Sequence, residues 1–170
     1  KIIHFNFEAT LQHLFYSVAV LPSVQCGLIS SENLTVSNDI IEVATDKDFL
    51  IVASPSLYLA GTIRKITSVP NVADGTTIFA ALTKGFVPGR DGPKLVLETI
   101  ENTLPGIYKG NTVYVAGPSH AEEVASGKIT GLVAASENPK NSIKVRELLR
   151  VPGILCYSSF DVIGVQIYSA

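Results

Sequence analysis

Short apolar runs, each followed by a segment whose apolar residues have helical spacing, recur along the chain and constrain its fold most. Four of these runs are residues 48–53, 76–82, 112–116 and 129–135. An almost wholly apolar run is typical of a strand that is covered on both faces. Strands that alternate with helices indicate βαβ units. The sequence therefore predicts an α/β fold with a doubly wound, mostly parallel sheet.

The other predicted elements continue this alternation. Helix starts are marked by Asp39 with Glu42 three residues later, by Ser119 with Glu122, and by Asn138 before Pro139. The further predicted strands are residues 2–7, 34–36 and 154–157. The predicted helices are residues 10–18, 57–66, 93–102, 119–126 and 138–150, with a last one opening at residues 158–161.

Composition and charge narrow the class of protein. Hydrophobic residues make up 46% of the 170 residues and charged residues 16%, which excludes a disordered chain and predicts a large core. The formal net charge of −2 gives no basic excess for nucleic acid or an anionic membrane. No apolar run approaches the ~20 residues of a membrane span, and polar residues interrupt the only candidate signal peptide. Two cysteines without CxxC spacing fit reduced thiols, so we expect a cytoplasmic protein.

Ligands of open parallel sheets bind outside the carboxyl ends of the strands, and three predicted strand ends carry suggestive residues. Small residues including Ser54 and Pro55 follow the first apolar run, where they either admit a ligand or form a plain turn. Lys84 ends the second run and either holds an anion or reaches out to the rim. Gly117 permits close approach of a ligand after the third run, and Ser119 either faces the site or only caps a helix.

Other chemistry-bearing residues form no recognisable site. The three histidines have no spacing that predicts a metal site, and His120 fits a substrate contact or a surface residue. Glu122 and Glu123 fit a cap partner and a favourable helix-end charge better than a paired-carboxylate site. No GxGxxG occurs, so the glycine fingerprint of dinucleotide binding is absent from these residues. The residues alone thus predict a Rossmann-like ligand-binding domain without a bound metal.

Five short segments, taken together and in their order along the chain, resemble those of a known enzyme family. They are Leu-Pro at 21–22, Ala-Ser-Pro-Ser at 53–56, Thr-Lys-Gly at 83–85, Gly-Pro-Ser-His-Ala-Glu-Glu-Val-Ala at 117–125 and Asp-Val-Ile-Gly-Val-Gln at 161–166. In this order they resemble the NAD(P)-dependent glycerol-3-phosphate dehydrogenases of bacterial type, over nearly the whole chain. The resemblance implies that residues 1–170 are an NAD(P)-binding Rossmann-like domain.

The same resemblance sets a register for the two ends. It places residues 2–7 on the family's second strand, so its first strand and glycine-rich turn are expected before Lys1. A catalytic Lys in Leu-Lys-Asn and a helical substrate domain are expected beyond Ala170, which leaves no catalytic residue within the chain. The chain has no methionine and begins with Lys1. Either a fragment or a chain from which modified methionines are missing would explain both.

By resemblance, these enzymes interconvert sn-glycerol 3-phosphate and dihydroxyacetone phosphate with NAD(H) or NADP(H), and the product feeds phospholipid synthesis. Carried over by position, Lys84, Gly117 and Ser119 contact this small phosphate-bearing substrate. Ser54, Pro55, Lys84 and Ala121 lie against the cofactor.

Cofactor preference and assembly are less constrained by the resemblance. Asn-Phe-Glu at residues 6–8 stands where members that use NADPH often place an arginine, which favours NAD. A homodimer is left open. The alternatives are another Rossmann dehydrogenase, such as a ketopantoate reductase, and a non-catalytic cofactor-binding remnant.

Overall fold

A computed structural model describes residues 37–120, 123–124 and 126–170 of the chain. The predicted strands at residues 2–7 and 34–36 and the predicted helix at 10–18 lie outside these ranges. The strands are β1 (Phe49–Val52), β2 (Ile78–Ala81), β3 (Val113–Ala116), β4 (Thr130–Ala135) and β5 (Ile154–Ser159). The helices are α1 (Ile40–Ala44), α2 (Leu59–Ile66), α3 (Pro70–Ala73), α4 (Val96–Thr103), α5 (Pro139–Leu149) and α6 (Val162–Tyr168), with 3₁₀ turns at Ser56–Tyr58 and Gly106–Tyr108.

The five described strands form one sheet in the order of the chain. The β1–β2, β2–β3 and β4–β5 pairs are parallel, so the predicted α/β fold with a mostly parallel sheet is confirmed. The expectation of another parallel crossover after β3 is wrong, because β4 is antiparallel to β3. The chain turns back there and β4 begins at the sheet edge where β3 ends, with Ala116 opposite Val133.

The core lies on both faces of this sheet. Alternating residues of the strands point to opposite faces, so Phe79 and Ala81 belong to one cluster and Ala80 to the other. The first cluster packs under α2 and α4 and the second under α5. This two-sided cover explains why the strand sequences are nearly continuous apolar runs. Among the described helices, none is long and apolar enough to cross a membrane.

Two helix starts have the cap residues that the sequence predicts, and a third has a cap at Asp161. The carboxylate of Asp39 accepts from the Ile41 amide at 2.9 Å, and Asn138 accepts from the Lys140 amide at 3.0 Å. Asp161 caps α6 by accepting from the Gly164 amide at 2.8 Å. The full capping box at Asp39 is not formed, because the Glu42 carboxylate accepts from the Ser37 hydroxyl at 2.5 Å instead of the Asp39 amide.

Candidate functional site

The carboxyl ends of β1, β2 and β3 lie at one edge of the sheet. The three strands are parallel neighbours, so residues 53–56, 83–85 and 117–120 follow them at the same edge. Two hydrogen bonds join these segments: Thr83 Oγ1 donates to the Ser54 carbonyl at 2.8 Å, and Lys84 Nζ donates to the Gly117 carbonyl at 3.2 Å. The predicted convergence of the three strand ends is therefore confirmed in the described residues, and Ala121 lies outside them.

Lys84 stands at the rim of this edge. Its side chain is exposed, yet partial burial of the ammonium lowers its pKa from the ordinary value of 10.5. Within the described part of the chain, no salt bridge to a carboxylate involves Lys84. Among the described residues, the ammonium donates to the neutral oxygen of Gly117, so its positive charge can attract an anion to this edge.

Gly117 occupies a position that excludes other residues. Its φ is +152°, and a Cβ there would lie 2.2 Å from the Gly131 carbonyl oxygen of β4. The Gly117 carbonyl accepts the Ser119 amide at 2.8 Å and the Ser119 hydroxyl at 3.4 Å, besides Lys84 Nζ. Glycine thus allows β3 and β4 to approach closely, and three donors gather around a single carbonyl.

Ser54 and Pro55 differ in their exposure to solvent. Ser54 is only 2% exposed, and its hydroxyl has no hydrogen-bond partner in the described part of the chain. It lines a cavity of about 30 Å³ beside β1, whereas Pro55 is exposed. The end of β1 therefore leaves a buried hydroxyl without a described partner beside a cavity that has room for about one water molecule.

Thr83, which belongs to the Thr-Lys-Gly segment, and Tyr114 support this edge, and Tyr114 was not predicted from the sequence. Thr83 is 3% exposed, and its carbonyl accepts the Tyr114 hydroxyl at 3.0 Å. Tyr114 is fully buried in β3. The signal that could have identified it is the phenol in the apolar run of residues 112–116, because a buried hydroxyl requires a partner.

Two further sequence candidates, His120 and Glu123, are exposed to solvent fully or in part. His120 is exposed and begins a helical turn, since its carbonyl accepts the Glu123 amide at 3.0 Å. The Glu123 carboxylate lies 3.0 Å from Lys128 Nζ in a surface salt bridge, and Glu122 lies outside the described residues. Among the described side chains, no three His, Cys, Asp or Glu residues are grouped so that they could hold a metal ion.

A larger groove lies at the opposite edge of β3. It has a volume of about 530 Å³ and includes Thr112, Glu101 and Glu137 in its lining. Thr112 precedes β3 and Glu137 follows β4, so this groove faces away from Lys84 and Gly117. Its carboxylates would repel an anionic ligand, and the Thr112 hydroxyl is already bonded to Glu101.

Comparisons with known proteins identify one family of enzymes. Residues 15–142 match the model of the NAD-dependent glycerol-3-phosphate dehydrogenase N-terminus. Glycerol-3-phosphate dehydrogenase [NAD(P)+] of Treponema denticola is 46% identical over 145 residues, which are 82% of this chain and 41% of that protein. The enzyme of the same name from Treponema pallidum (strain Nichols) is 40% identical over 85% of this chain and 43% of its own length.

A solved structure gives the same result for the fold. The crystal structure of glycerol-3-phosphate dehydrogenase from Coxiella burnetii has a TM-score of 0.70 and 26% identity, covering 82% of this chain and 40% of that one. This chain thus spans about two fifths of the length of the relatives that it matches. The match sets aside the alternative of a ketopantoate reductase. The chain belongs to the family of NAD-dependent glycerol-3-phosphate dehydrogenases and corresponds to the N-terminal region of its members.

Proposed function

We propose that this chain forms the cofactor-binding part of an enzyme that interconverts sn-glycerol 3-phosphate and dihydroxyacetone phosphate with NAD(H) or NADP(H). The observation that carries the proposal is the 3.2 Å contact between Lys84 Nζ and the Gly117 carbonyl at the carboxyl edge of β1–β3. In the same proposal the enzyme is cytoplasmic and supplies glycerol 3-phosphate for phospholipid synthesis. Family membership supports the reaction class, and the site supports the placement of its substrate.

We assign to Lys84 the role of stabilising negative charge on the substrate. The cofactor supplies or accepts the hydride, and reduction of the ketone leaves negative charge on its oxygen. A positioned ammonium at reduced hydration stabilises such charge more than a fully hydrated one would. The partial burial that lowers the Lys84 pKa is therefore consistent with this role, as is the absence of a carboxylate partner among the described residues.

Gly117 and Ser119 are assigned to substrate contact. The space that a Gly117 side chain would occupy is filled by Gly131 of β4, so a substrate would meet Gly117 through its backbone, on the side where Lys84 and Ser119 lie. The Ser119 hydroxyl makes only a long 3.4 Å bond to the Gly117 carbonyl, and rotation about its χ1 angle would direct it to a substrate oxygen. Both residues adjoin the Lys84 ammonium through the same carbonyl.

The cofactor contacts are assigned to Ser54, Pro55, Lys84 and Ala121, of which Ala121 lies outside the described residues. The unpaired Ser54 hydroxyl would gain a hydrogen bond from such a contact, and Pro55 offers an apolar surface. Preference for NAD over NADP rests on residues 6–8, where no arginine stands to pair with the additional phosphate. A homodimer is a further part of this proposal.

Substrate binding by the 170-residue chain tests the site. Isotope-labelled protein is titrated with sn-glycerol 3-phosphate, and chemical shifts of the Lys84 and Gly117 amides are followed. We expect saturable shifts there, and a Kd at least about tenfold higher for Lys84→Ala, since a hydrogen bond to a charged group is worth ~1.5–3 kcal/mol. Lys140→Ala is the matched control, because Lys140 is exposed at the start of α5 near the opposite edge of the sheet.

The outcomes separate the candidate roles. Shifts confined to residues 83–85 and 117–120, lost in Lys84→Ala and kept in Lys140→Ala, support the proposal. If Lys84→Ala binds sn-glycerol 3-phosphate as tightly as the parent chain does, Lys84 is a surface lysine at the rim that does not bind this ligand.

A further inference from the structure

Tyr114 places a hydroxyl group inside an otherwise apolar strand. Every residue of β3 is buried, and Tyr114 is 0% exposed. Its hydroxyl donates to the Thr83 carbonyl at 3.0 Å, and the Ser169 hydroxyl donates to the Tyr114 oxygen at 3.4 Å. A phenylalanine would fill nearly the same space without a polar atom to desolvate, so packing alone does not account for the hydroxyl.

The hydroxyl of Tyr114 acts on the peptide group that leads into Lys84. The Thr83 carbonyl and the Lys84 amide belong to one planar unit, so a bond to that carbonyl fixes the orientation of the Lys84 backbone. Thr83 is also held from the other side, because its hydroxyl donates to the Ser54 carbonyl at 2.8 Å. The residue before Lys84 is therefore clamped between the ends of β1 and β3.

We propose that Tyr114 is a positioning residue, whose hydroxyl bond to the Thr83 carbonyl aims the Lys84 ammonium at the Gly117 turn. The inference rests on the proposed function for the identity of the anion that Lys84 meets. The geometric part of the inference is independent of the proposed function, because the Lys84–Gly117 contact exists without a ligand. Ser169 belongs to the same arrangement: its hydroxyl lies 3.4 Å from the Tyr114 oxygen and 3.4 Å from the Gln166 carbonyl, and donation to the former would orient the phenol proton toward Thr83.

Tyr108 provides a matched control for removal of a phenol. Tyr108 is 3% exposed and lies in the same hydrophobic cluster as Tyr114. Its hydroxyl has no hydrogen-bond partner in the described part of the chain. Tyr114→Phe and Tyr108→Phe therefore remove the same atom from the same core, and only the first removes a link to the strand end that precedes Lys84.

The first test needs no ligand. The pKa of Lys84 is measured from the ¹³Cε and ¹⁵Nζ shifts of labelled lysine in the 170-residue chain. In Tyr114→Phe we expect that pKa to move up toward 10.5, because an ammonium released from the Gly117 carbonyl becomes better hydrated. Tyr108→Phe should leave it unchanged. An unchanged Lys84 pKa in a folded Tyr114→Phe protein overturns the proposal.

A second variant covers the case in which Tyr114→Phe does not fold. Ser169→Ala leaves the core filled and removes the hydroxyl that can donate to the Tyr114 oxygen or to the Gln166 carbonyl, and we expect a smaller upward shift of the Lys84 pKa. If Tyr114→Phe does not fold, Ser169→Ala alone decides the matter, and an unchanged Lys84 pKa in that variant overturns the proposal.

A double-mutant cycle separates positioning from general loss of structure. For sn-glycerol 3-phosphate we expect Tyr114→Phe to raise Kd about three- to tenfold, the range of a single hydrogen bond. In a Lys84→Ala background the same change should have no further effect, because the residue through which Tyr114 acts is gone.

Each outcome of the cycle has one meaning. An equal loss of affinity in both backgrounds shows a structural role and overturns the inference, as does no loss in either. No effect of Lys84→Ala itself contradicts the proposed function instead, and the Lys84 pKa measurement then still decides the role of Tyr114.

Discussion

The Lys84 ammonium nitrogen lies 3.2 Å from the Gly117 carbonyl oxygen, and this contact joins the ends of β2 and β3. The carbonyl is neutral, so the lysine keeps its full charge while its direction is fixed. An incoming phosphate ester would replace the neutral carbonyl by an anionic acceptor, which adds the attraction between opposite charges to the hydrogen bond of the ammonium. The same contact can thus hold the side chain in place before a ligand binds and release it when one does.

The affinity of the chain for sn-glycerol 3-phosphate should depend on the protonation of Lys84. Partial burial lowers the Lys84 pKa from 10.5, so the ammonium loses its proton at a lower pH than an ordinary lysine does. We therefore expect Kd to rise as the pH passes upward through that lowered pKa. The measurement is a series of titrations by NMR or calorimetry at increasing alkaline pH. Lys84→Arg keeps its charge over this range, and a parallel rise of Kd in that variant would contradict the assignment.

Gly117 should be intolerant of any side chain. A Cβ at this residue would lie 2.2 Å from the Gly131 carbonyl oxygen, a backbone atom that cannot move alone. With φ at +152°, we expect Gly117→Ala to lower the free energy of unfolding by at least ~1–3 kcal/mol, measured by urea denaturation.

Gly61 gives the matched control for Gly117. It lies inside α2, and a Cβ there meets no heavy atom within 4 Å. Gly61→Ala should raise the free energy of unfolding by ~0.4–1 kcal/mol, since alanine restricts the unfolded chain and suits the helix. Equal effects of the two substitutions would show that the close approach of β3 and β4 does not restrict residue 117.

The alternation of apolar runs with helical segments was sufficient to predict the five described strands and the edge at which the candidate site lies. Burial on both faces makes a strand such as β2 apolar throughout, and the order of parallel strands brings their carboxyl ends together. The sequence alone therefore predicts that Lys84 and Gly117 lie close together. Their hydrogen bond follows from side-chain geometry that periodicity does not contain.

Two features could not be read from local patterns. The direction of β4 depends on how the chain turns after Gly117, which is a tertiary contact with Gly131 and not a property of the strand's own residues. The clamp on Thr83 joins residues about 30 positions apart in sequence, because its partners Ser54 and Tyr114 lie 29 and 31 residues away. Such contacts become visible only once the register of the sheet is known.

Gln166 should be required for the start of α4. The amide of Leu97 is in the first turn of α4, where no intrahelical acceptor exists, and no side chain caps that helix from Leu95. Gln166 of α6 is 3% exposed and accepts the Leu97 amide at 3.0 Å. Gln166→Leu should lower the free energy of unfolding by about 1–3 kcal/mol, because it leaves a buried donor without a partner.

Hydrogen exchange checks this role of Gln166 directly. The Leu97 amide should exchange slowly in the parent chain and much faster in Gln166→Leu. The Leu104 amide, which donates to the Ile100 carbonyl at 2.9 Å, serves as the internal control and should change only with global stability. Unchanged protection of Leu97 in the variant would show that Gln166 is not its acceptor in solution.

Tyr108 should make the chain sensitive to alkaline pH. Burial raises the pKa of Tyr108 from 10.0 to about 12, partly opposed by the nearby backbone of Thr77. Between these two values the unfolded chain loses the phenol proton while the folded chain keeps it, so the unfolded state binds fewer protons. The free energy of unfolding that depends on Tyr108 is therefore fully present below pH 10 and is lost as the pH rises toward about 12.

Urea denaturation at about pH 8, 10 and 11.5 brackets this range of pH. The free energy of unfolding of Tyr108→Phe should fall less steeply with rising pH than that of the parent chain. Tyr157→Phe is the control, since Tyr157 is 61% exposed and its substitution removes a phenol without removing a buried one. The same alkaline slope in the parent chain and in Tyr108→Phe would mean that the Tyr108 phenol meets water in the folded state.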